Sequence, residues 1–172
     1  MPSWVKLIVD PKLKGNARAY LAQCGLATLA LLVVLTFQDA FENAVIIAAV
    51  ASTLFVLFIT PHAIMCTPRR VVGGHMVGLL LGSLVGFFLA SGAGEAMVDA
   101  VPYSFELFAA LGVGLSILIM AFTNTEHGPA AGTALGFVVL DFRWALVLVL
   151  LGSVVILSLV HQLALQRMRN LL

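Results

Sequence analysis

Polar breaks cut the chain into six apolar runs, at about 17–37, 44–60, 71–90, 105–122, 129–140 and 144–163. Long runs of this kind predict helices that cross a lipid bilayer, where each backbone polar group must be bonded within its own segment. The fifth run is short, about 18 Å at roughly 1.5 Å per residue. It either spans a thinned region, leans on protein, or re-enters as a half-helix. The pattern predicts an all-α membrane protein: a compact bundle of five to six transmembrane helices, one of them short or re-entrant.

Two of these runs carry glycine ladders directly after a polar hairpin: Gly74, Gly78, Gly82 and Gly86, then Gly128, Gly132 and Gly136. A four-residue spacing puts each ladder on one helix face, where the missing side chains let another backbone approach closely. Each ladder begins beside a histidine, His75 or His127. The spacing predicts matched helices whose N-termini face each other. Shifting the sequence by 54 positions lays Gly74, Gly78 and Gly82 over Gly128, Gly132 and Gly136. Each ladder helix returns after an apolar run that enters from outside, and the two pairs run in the same direction, so the reading includes a parallel internal repeat of helix-hairpin-helix units.

Composition agrees: 62% of the 172 residues are hydrophobic and 10% charged, with a mean hydropathy of +1.11, outside the range of soluble domains. The net charge of +1 gives no reason to expect a nucleic-acid partner. Its distribution matters more. With the N-terminus in the cytoplasm and six crossings, Lys6, Lys12, Lys14, Arg18, Arg69, Arg70, Arg167 and Arg169 fall inside and only Arg143 outside. Asp39, Glu42, Glu95, Asp99 and Asp141 collect on the other side. A re-entrant fifth segment would carry Arg167 and Arg169 outside, which the positive-inside rule disfavours. Residues 1–16 are read as a cytoplasmic or interfacial segment, with Trp4, Val5, Leu7 and Ile8 on the inner surface and breaks at Pro11 and Gly15. Residues 17–165 form a single transmembrane domain and 166–172 a basic cytoplasmic tail. The N-terminal stretch has neither a signal-peptide nor a transit-peptide pattern. The expected location is the plasma (inner) membrane of a prokaryote, multi-pass, with both termini cytoplasmic.

Candidate chemistry gathers at the hairpins. A helix N-terminus offers unpaired N–H groups and about half a positive charge, which suits a small anion. The first hairpin adds Arg69 and Arg70 ahead of Gly74 and His75. The second contributes Asn124, Thr125, His127 and Gly128, with Pro129 suited to a first helical turn and Thr133 one turn on. Imidazoles have a reference pKa of about 6.5 and can add charge or carry a coupled proton.

The stretch Pro68-Arg69-Arg70-Val71-Val72-Gly73-Gly74-His75, followed by Thr125-Glu126-His127-Gly128-Pro129-Ala130-Ala131-Gly132-Thr133-Ala134-Leu135, resembles the HPP family of integral membrane proteins. That family is named for a His-Pro-Pro tripeptide. Here the corresponding residues are His127-Gly128-Pro129, and Arg70 stands where the first motif has Asn. The resemblance implies a small multi-span protein, usually described with about four spans, and in some members linked to nitrite transport across plastid or cyanobacterial membranes. It singles out Pro68, Arg69, Gly74 and His75, then His127, Pro129 and Ala131.

Together these readings point to a transporter or channel for a small inorganic anion, most simply nitrite. Arg69 and Arg70 would attract it. The N–H groups near Gly74 and Gly128, with Asn124, Thr125 and Thr133, would replace part of its water shell. Plainer readings stand beside each element: the ladders as packing faces, the arginines as topology determinants, the histidines as caps or cross-bundle bonds. Asp141 and Arg143 read as a polar turn. Cys24 and Cys66 form no disulfide framework, and His62, Cys66, His75 and His127 match no metal spacing. No phosphate loop, nucleophile elbow or intramembrane carboxylate pair is present. Neither enzyme activity nor a cofactor is expected. The expected partners are the anion, the lipid bilayer and further copies of the chain in a homo-oligomer. The alternative is a non-transporting assembly or regulatory subunit that uses the glycine faces for packing.

Overall fold

The structure, a computed structural model, describes residues 13–36 and 44–171. The expected interfacial segment at Trp4 to Ile8, and Asp39 and Glu42, lie outside the described residues. Among the described residues seven α-helices follow one another: α1 (Leu13–Leu35), α2 (Ala44–Ile59), α3 (Pro68–Leu89), α4 (Gly92–Ala100), α5 (Ser104–Thr123), α6 (Pro129–Val139) and α7 (Trp144–Ala164). A 3₁₀ turn at Ile64–Cys66 precedes α3, and another at Leu165–Arg167 follows α7. No strand occurs among the described residues.

Six helices coincide with the six apolar runs, and their ends follow local chemistry. α3 starts at Pro68, three residues ahead of the predicted start, because proline needs no donor in the first turn and the Thr67 carbonyl accepts from both Arg70 and Val71 N–H (2.9 Å each). α5 ends at Asn124, a residue type that tolerates its left-handed φ of 56°. α1 kinks at Asn16, whose φ of −127° is not helical. The seventh helix, α4, was not predicted. Ser91 caps it by accepting the Gly94 N–H at 3.2 Å.

Four stretches are long and apolar enough to cross a membrane: Gly15–Leu35, Pro68–Leu89, Ser104–Thr123 and Trp144–Arg167. α2 and α6 are shorter, at 16 and 11 residues. α6 packs against α3, α2 and α5, so its length is matched by protein on several sides.

The ladders explain that packing. α3 and α6 run side by side in the same direction: Gly74 lies against His127 and Ala130, Gly78 against Ala130 and Ala134, and Gly86 against Phe137 and Val138. A methyl on Gly78 would run into the carbonyl oxygen of Ala130, and one on Gly82 into that of Ala134. Only glycine permits this backbone approach. The second ladder points elsewhere: Gly132 meets Ala49 and Gly136 meets Ile46, both on α2. α6 is therefore held between α3 and α2. The main apolar core gathers Ile46, Val50, Leu54, Leu57 and Phe58 of α2, Phe137 of α6, and Leu146, Leu150 and Val154 of α7.

The residues after α7 are strapped onto one end of the bundle. Leu171 N–H donates to the Ile59 carbonyl (2.9 Å), Tyr20 hydroxyl to the Leu171 carbonyl (2.7 Å), and Gln23 Nε2 to the carbonyls of Phe58 (2.6 Å) and Arg169 (2.9 Å). His161 Nε2 donates to the Pro61 carbonyl at 3.0 Å. The start of α1, the end of α2, the first hairpin and the end of α7 thus share one end.

Candidate functional site

At that end, under the two hairpins, four buried polar side chains form a connected chain. His75 stands next to Gly74 on α3, Thr53 on α2, His127 just ahead of α6, and Thr133 one turn into α6. His75, Thr53 and Thr133 are 0% exposed and His127 1%. Thr53 Oγ1 lies 2.9 Å from His75 Nε2 and 3.2 Å from His127 Nε2. His75 Nδ1 lies 2.7 Å from Thr133 Oγ1, and His127 Nδ1 lies 3.1 Å from the Met65 carbonyl. The two ring centroids are 5.3 Å apart.

These partners assign the protons. A carbonyl only accepts, so His127 Nδ1 carries a hydrogen and donates to Met65. With His127 neutral, its Nε2 is bare and faces the Thr53 hydroxyl, whose one hydrogen can go either there at 3.2 Å or to the Ala49 carbonyl at 2.9 Å; the first choice completes the chain. The Thr53 oxygen then accepts from His75 Nε2–H, which leaves His75 Nδ1 to accept from Thr133. One direction of donation runs from Thr133 through His75 and Thr53 to His127 and Met65. Burial pushes the His127 imidazole down to about 4, opposed in part by the Met65 carbonyl, which favours the neutral ring.

The exposed rim is organised differently. Arg69 Nη2 donates to the Thr123 carbonyl at 2.9 Å. Arg70 donates to the Glu126 carboxylate, its ion-pair partner, and to the Asn124 side-chain oxygen. Both arginines thus clamp the first hairpin to the second. Thr125 is buried, donates its hydroxyl to Thr123 Oγ1 (2.8 Å), and closes α5 through its N–H to the Met120 carbonyl (2.9 Å).

Of the residues singled out from the sequence, His75, His127 and Thr133 come together in the buried chain, and Arg69, Arg70 and Asn124 at the rim. Gly74 is closed over by His127 and Thr125, whereas Gly128 has open space beside it. The first-turn donors have internal partners: Ala130 N–H bonds the His127 carbonyl (2.9 Å) and Ala131 N–H that of Gly128 (3.1 Å), while Pro129 has no N–H. Thr53 was missed, though its central position in the chain makes it the link between the histidines. Its signal was a Ser52-Thr53 pair of hydroxyls midway along an otherwise apolar helix. His62 and Cys66 do not join the pair: His62 Nε2 bonds the Met168 carbonyl (3.1 Å), and the Cys66 thiol faces the carbonyls of Thr60 (3.2 Å) and Val56 (3.4 Å). Among the described residues no three His, Cys, Asp or Glu side chains converge in a metal-binding group.

The opposite end of the bundle holds a cavity of about 700 Å³ between the C-terminal ends of α3 and α6 and the helix α4. Glu95, Asp99 and Asp141 line it, together with the Phe87, Phe105 and Phe142 rings. Ser83 is at its wall, with a buried hydroxyl that has no hydrogen-bond partner.

A bundle of long apolar helices, with its polar side chains gathered inside and at its two ends, defines an integral membrane protein. The chain belongs to the HPP family: residues 12–170 match the HPP transmembrane region. It is also similar to a transmembrane protein of Dictyostelium discoideum, 31% identical over 121 residues, which cover 70% of this chain and 39% of that protein. The match therefore spans well under half the length of that relative. No solved structure matches the chain.

Proposed function

We propose that the protein is a transporter or channel for a small inorganic anion, with nitrite as its first candidate substrate. The observation that carries this reading is the His75–Thr53–His127–Thr133 chain. Ionisable groups inside a membrane bundle are costly and mark ion or proton pathways, and this chain sits directly beneath a rim that carries two arginines. Arg69 and Arg70 raise the local anion concentration at this end. With the helix N-terminal N–H groups of α6 engaged by their own chain, hydroxyls and imidazoles replace them as the groups an anion would meet.

The further features fit the same reading as proposals. Six passes, with α6 short but crossing, put both hairpins and both termini on the cytoplasmic side, as the arginine distribution favours. α2–α3 and α5–α6 then form a parallel repeat. The location is the plasma membrane of a prokaryote, the assembly a homo-oligomer, and the activity transport, with no catalysis. A purely packing role for the ladders between subunits is disfavoured because Gly78 and Gly82 are consumed against α6, and Gly132 and Gly136 against α2.

The test is nitrite uptake into proteoliposomes holding purified protein, with nitrate, chloride and formate for comparison and His127→Ala at equal folded content. Selective uptake that the substitution changes supports the reading. No uptake of any anion at pH 5.5 or 7.5 moves the assignment to an assembly or regulatory subunit.

A further inference from the structure

Thr53 holds more hydrogen-bond opportunities than one hydroxyl can serve at once. Its oxygen is 2.9 Å from His75 Nε2, 3.2 Å from His127 Nε2, and 2.9 Å from the Ala49 carbonyl one turn back on α2. It has one hydrogen. If that hydrogen goes to His127, the Ala49 contact is idle. If it goes to Ala49, both imidazoles must donate to Thr53, and because His127 Nδ1 already donates to Met65, His127 then carries two hydrogens. The two orientations therefore correspond to two proton counts.

We propose that Thr53 joins His75 and His127 into a two-state proton relay, its hydroxyl donating to His127 when both rings are neutral and turning to the Ala49 carbonyl when the pair binds a single proton. This deepens the transport reading by giving its site a means of proton coupling. Transfer across the relay balances without any co-reactant. Transfer passes through a further arrangement of the same proton count, in which His75 holds its hydrogen on Nδ1 toward Thr133 and the Thr53 hydroxyl leaves Ala49 for the bare His75 Nε2; the doubly protonated His127 then passes its Nε2 proton to Thr53 as the Thr53 hydrogen passes to His75 Nε2. His127 ends neutral, His75 positively charged, and Thr53 again a hydroxyl.

The surroundings leave the charge to this pair. α2 and α6 contribute no titratable side chain, since Ala44–Ile59 and Pro129–Val139 contain none. From the hairpins, Glu126 is engaged by Arg70, Arg69 bonds the Thr123 carbonyl, and the Cys66 thiol is turned toward Thr60 and Val56. On α7, His161 bonds Pro61. Two positive rings at a centroid distance of 5.3 Å repel one another, so the second proton is excluded.

The experiment is ¹⁵N NMR of histidine-labelled full-length protein in lipid vesicles, with signals assigned through His75→Gln and His127→Gln. At pH 7.5 the expected result is opposite tautomers, the hydrogen on Nδ1 of His127 and on Nε2 of His75. Thr53→Val removes the acceptor of His75 Nε2–H, so His75 moves its hydrogen to Nδ1 and donates to Thr133, while Thr53→Ser keeps the wild-type pattern. On acidification, one proton binds to the pair before any second. The same tautomer on both rings, an unchanged His75 in Thr53→Val, or two protons taken up together overturns the relay. Nitrite uptake and lumenal pH are followed in the same vesicles, where Thr53→Val should lose at least tenfold of any coupled proton movement and Thr53→Ser retain it. If the wild-type protein carries no nitrite, the transport reading fails, and the tautomers still decide the relay.

Discussion

Arg70 and Glu126 form an ion pair across 56 residues of sequence, joining the first turn of α3 to the hairpin ahead of α6. The Glu126 side chain is 47% exposed, so water screens the pair and its contribution to stability is expected to lie within about 0.2–1 kcal/mol. A double-mutant cycle of Arg70→Ala and Glu126→Gln, read by thermal unfolding in detergent, checks this. The two changes should part company in transport. Arg70→Ala lowers anion uptake at low concentration, whereas Glu126→Gln removes a negative charge from the rim and raises it. Equal effects of both on uptake would count against an electrostatic role for the rim.

Gly82→Ala inserts a methyl into the Ala134 carbonyl, and neither backbone can withdraw without separating α3 from α6. Overpacking of this kind is expected to cost about 1–3 kcal/mol. Gly152→Ala, on α7 where nothing lies within 4 Å of an added carbon, should stay within about 0.5 kcal/mol of wild type. Unfolding midpoints of the two variants in one detergent provide the comparison.

His127 gives stability a pH dependence of definite sign. Its folded pKa, pushed down to about 4 by burial, lies below the unfolded value of about 6.5. The unfolded chain binds the proton first as pH falls. The contribution is complete above about pH 6.5 and declines toward pH 4, by roughly 3 kcal/mol over that window. His127→Gln should flatten that part of the curve, as followed by unfolding between pH 4 and 8.

Cys66 is 1% exposed, and burial raises its thiol pKa, opposed by the Thr60 and Ala63 contacts. Few thiolates exist at neutral pH, and an electrophile has little access. Maleimide should modify Cys66 at least about tenfold more slowly than a free thiol until the protein is unfolded. Mass spectrometry after timed quenching reads the rate, and rapid labelling in the folded state would mean that the first hairpin opens.

The apolar runs disclosed six of the seven described helices because apolar segments between polar breaks carry their signal in composition, in the short α2 and α6 as well as in the four of bilayer length. α4 escaped because Gly92, Gly94, Glu95 and Asp99 dilute that signal, leaving the Ser91 cap as the main local cue. The histidine pair was legible from its matched placement beside the ladders. Thr53 was not, since a threonine within an apolar helix ordinarily satisfies itself on the carbonyl four residues back, and the Ala49 carbonyl lies within 2.9 Å of the Thr53 hydroxyl for that purpose. Its wider role depends on α2 lying against the Gly132–Gly136 face of α6, a tertiary fact. From the sequence the arginines read as groups that attract an anion or set the topology. Their carbonyl and carboxylate partners stand 54 and 56 residues away, beyond the reach of any local pattern.

The short α6 has an electrical consequence. Its 11 residues extend only about 16 Å, and the acidic cavity opens at its far end. If α6 crosses the membrane as proposed and water fills that cavity, conductive solution would reach deep into the bundle, and the transmembrane voltage would drop mainly across the stretch between the cavity floor and the buried histidines. A full elementary charge crossing the membrane exchanges about 2.3 kcal/mol per 100 mV. Much of that work would be concentrated along α6 and the adjoining part of α3, making this septum the voltage-sensitive element of the molecule.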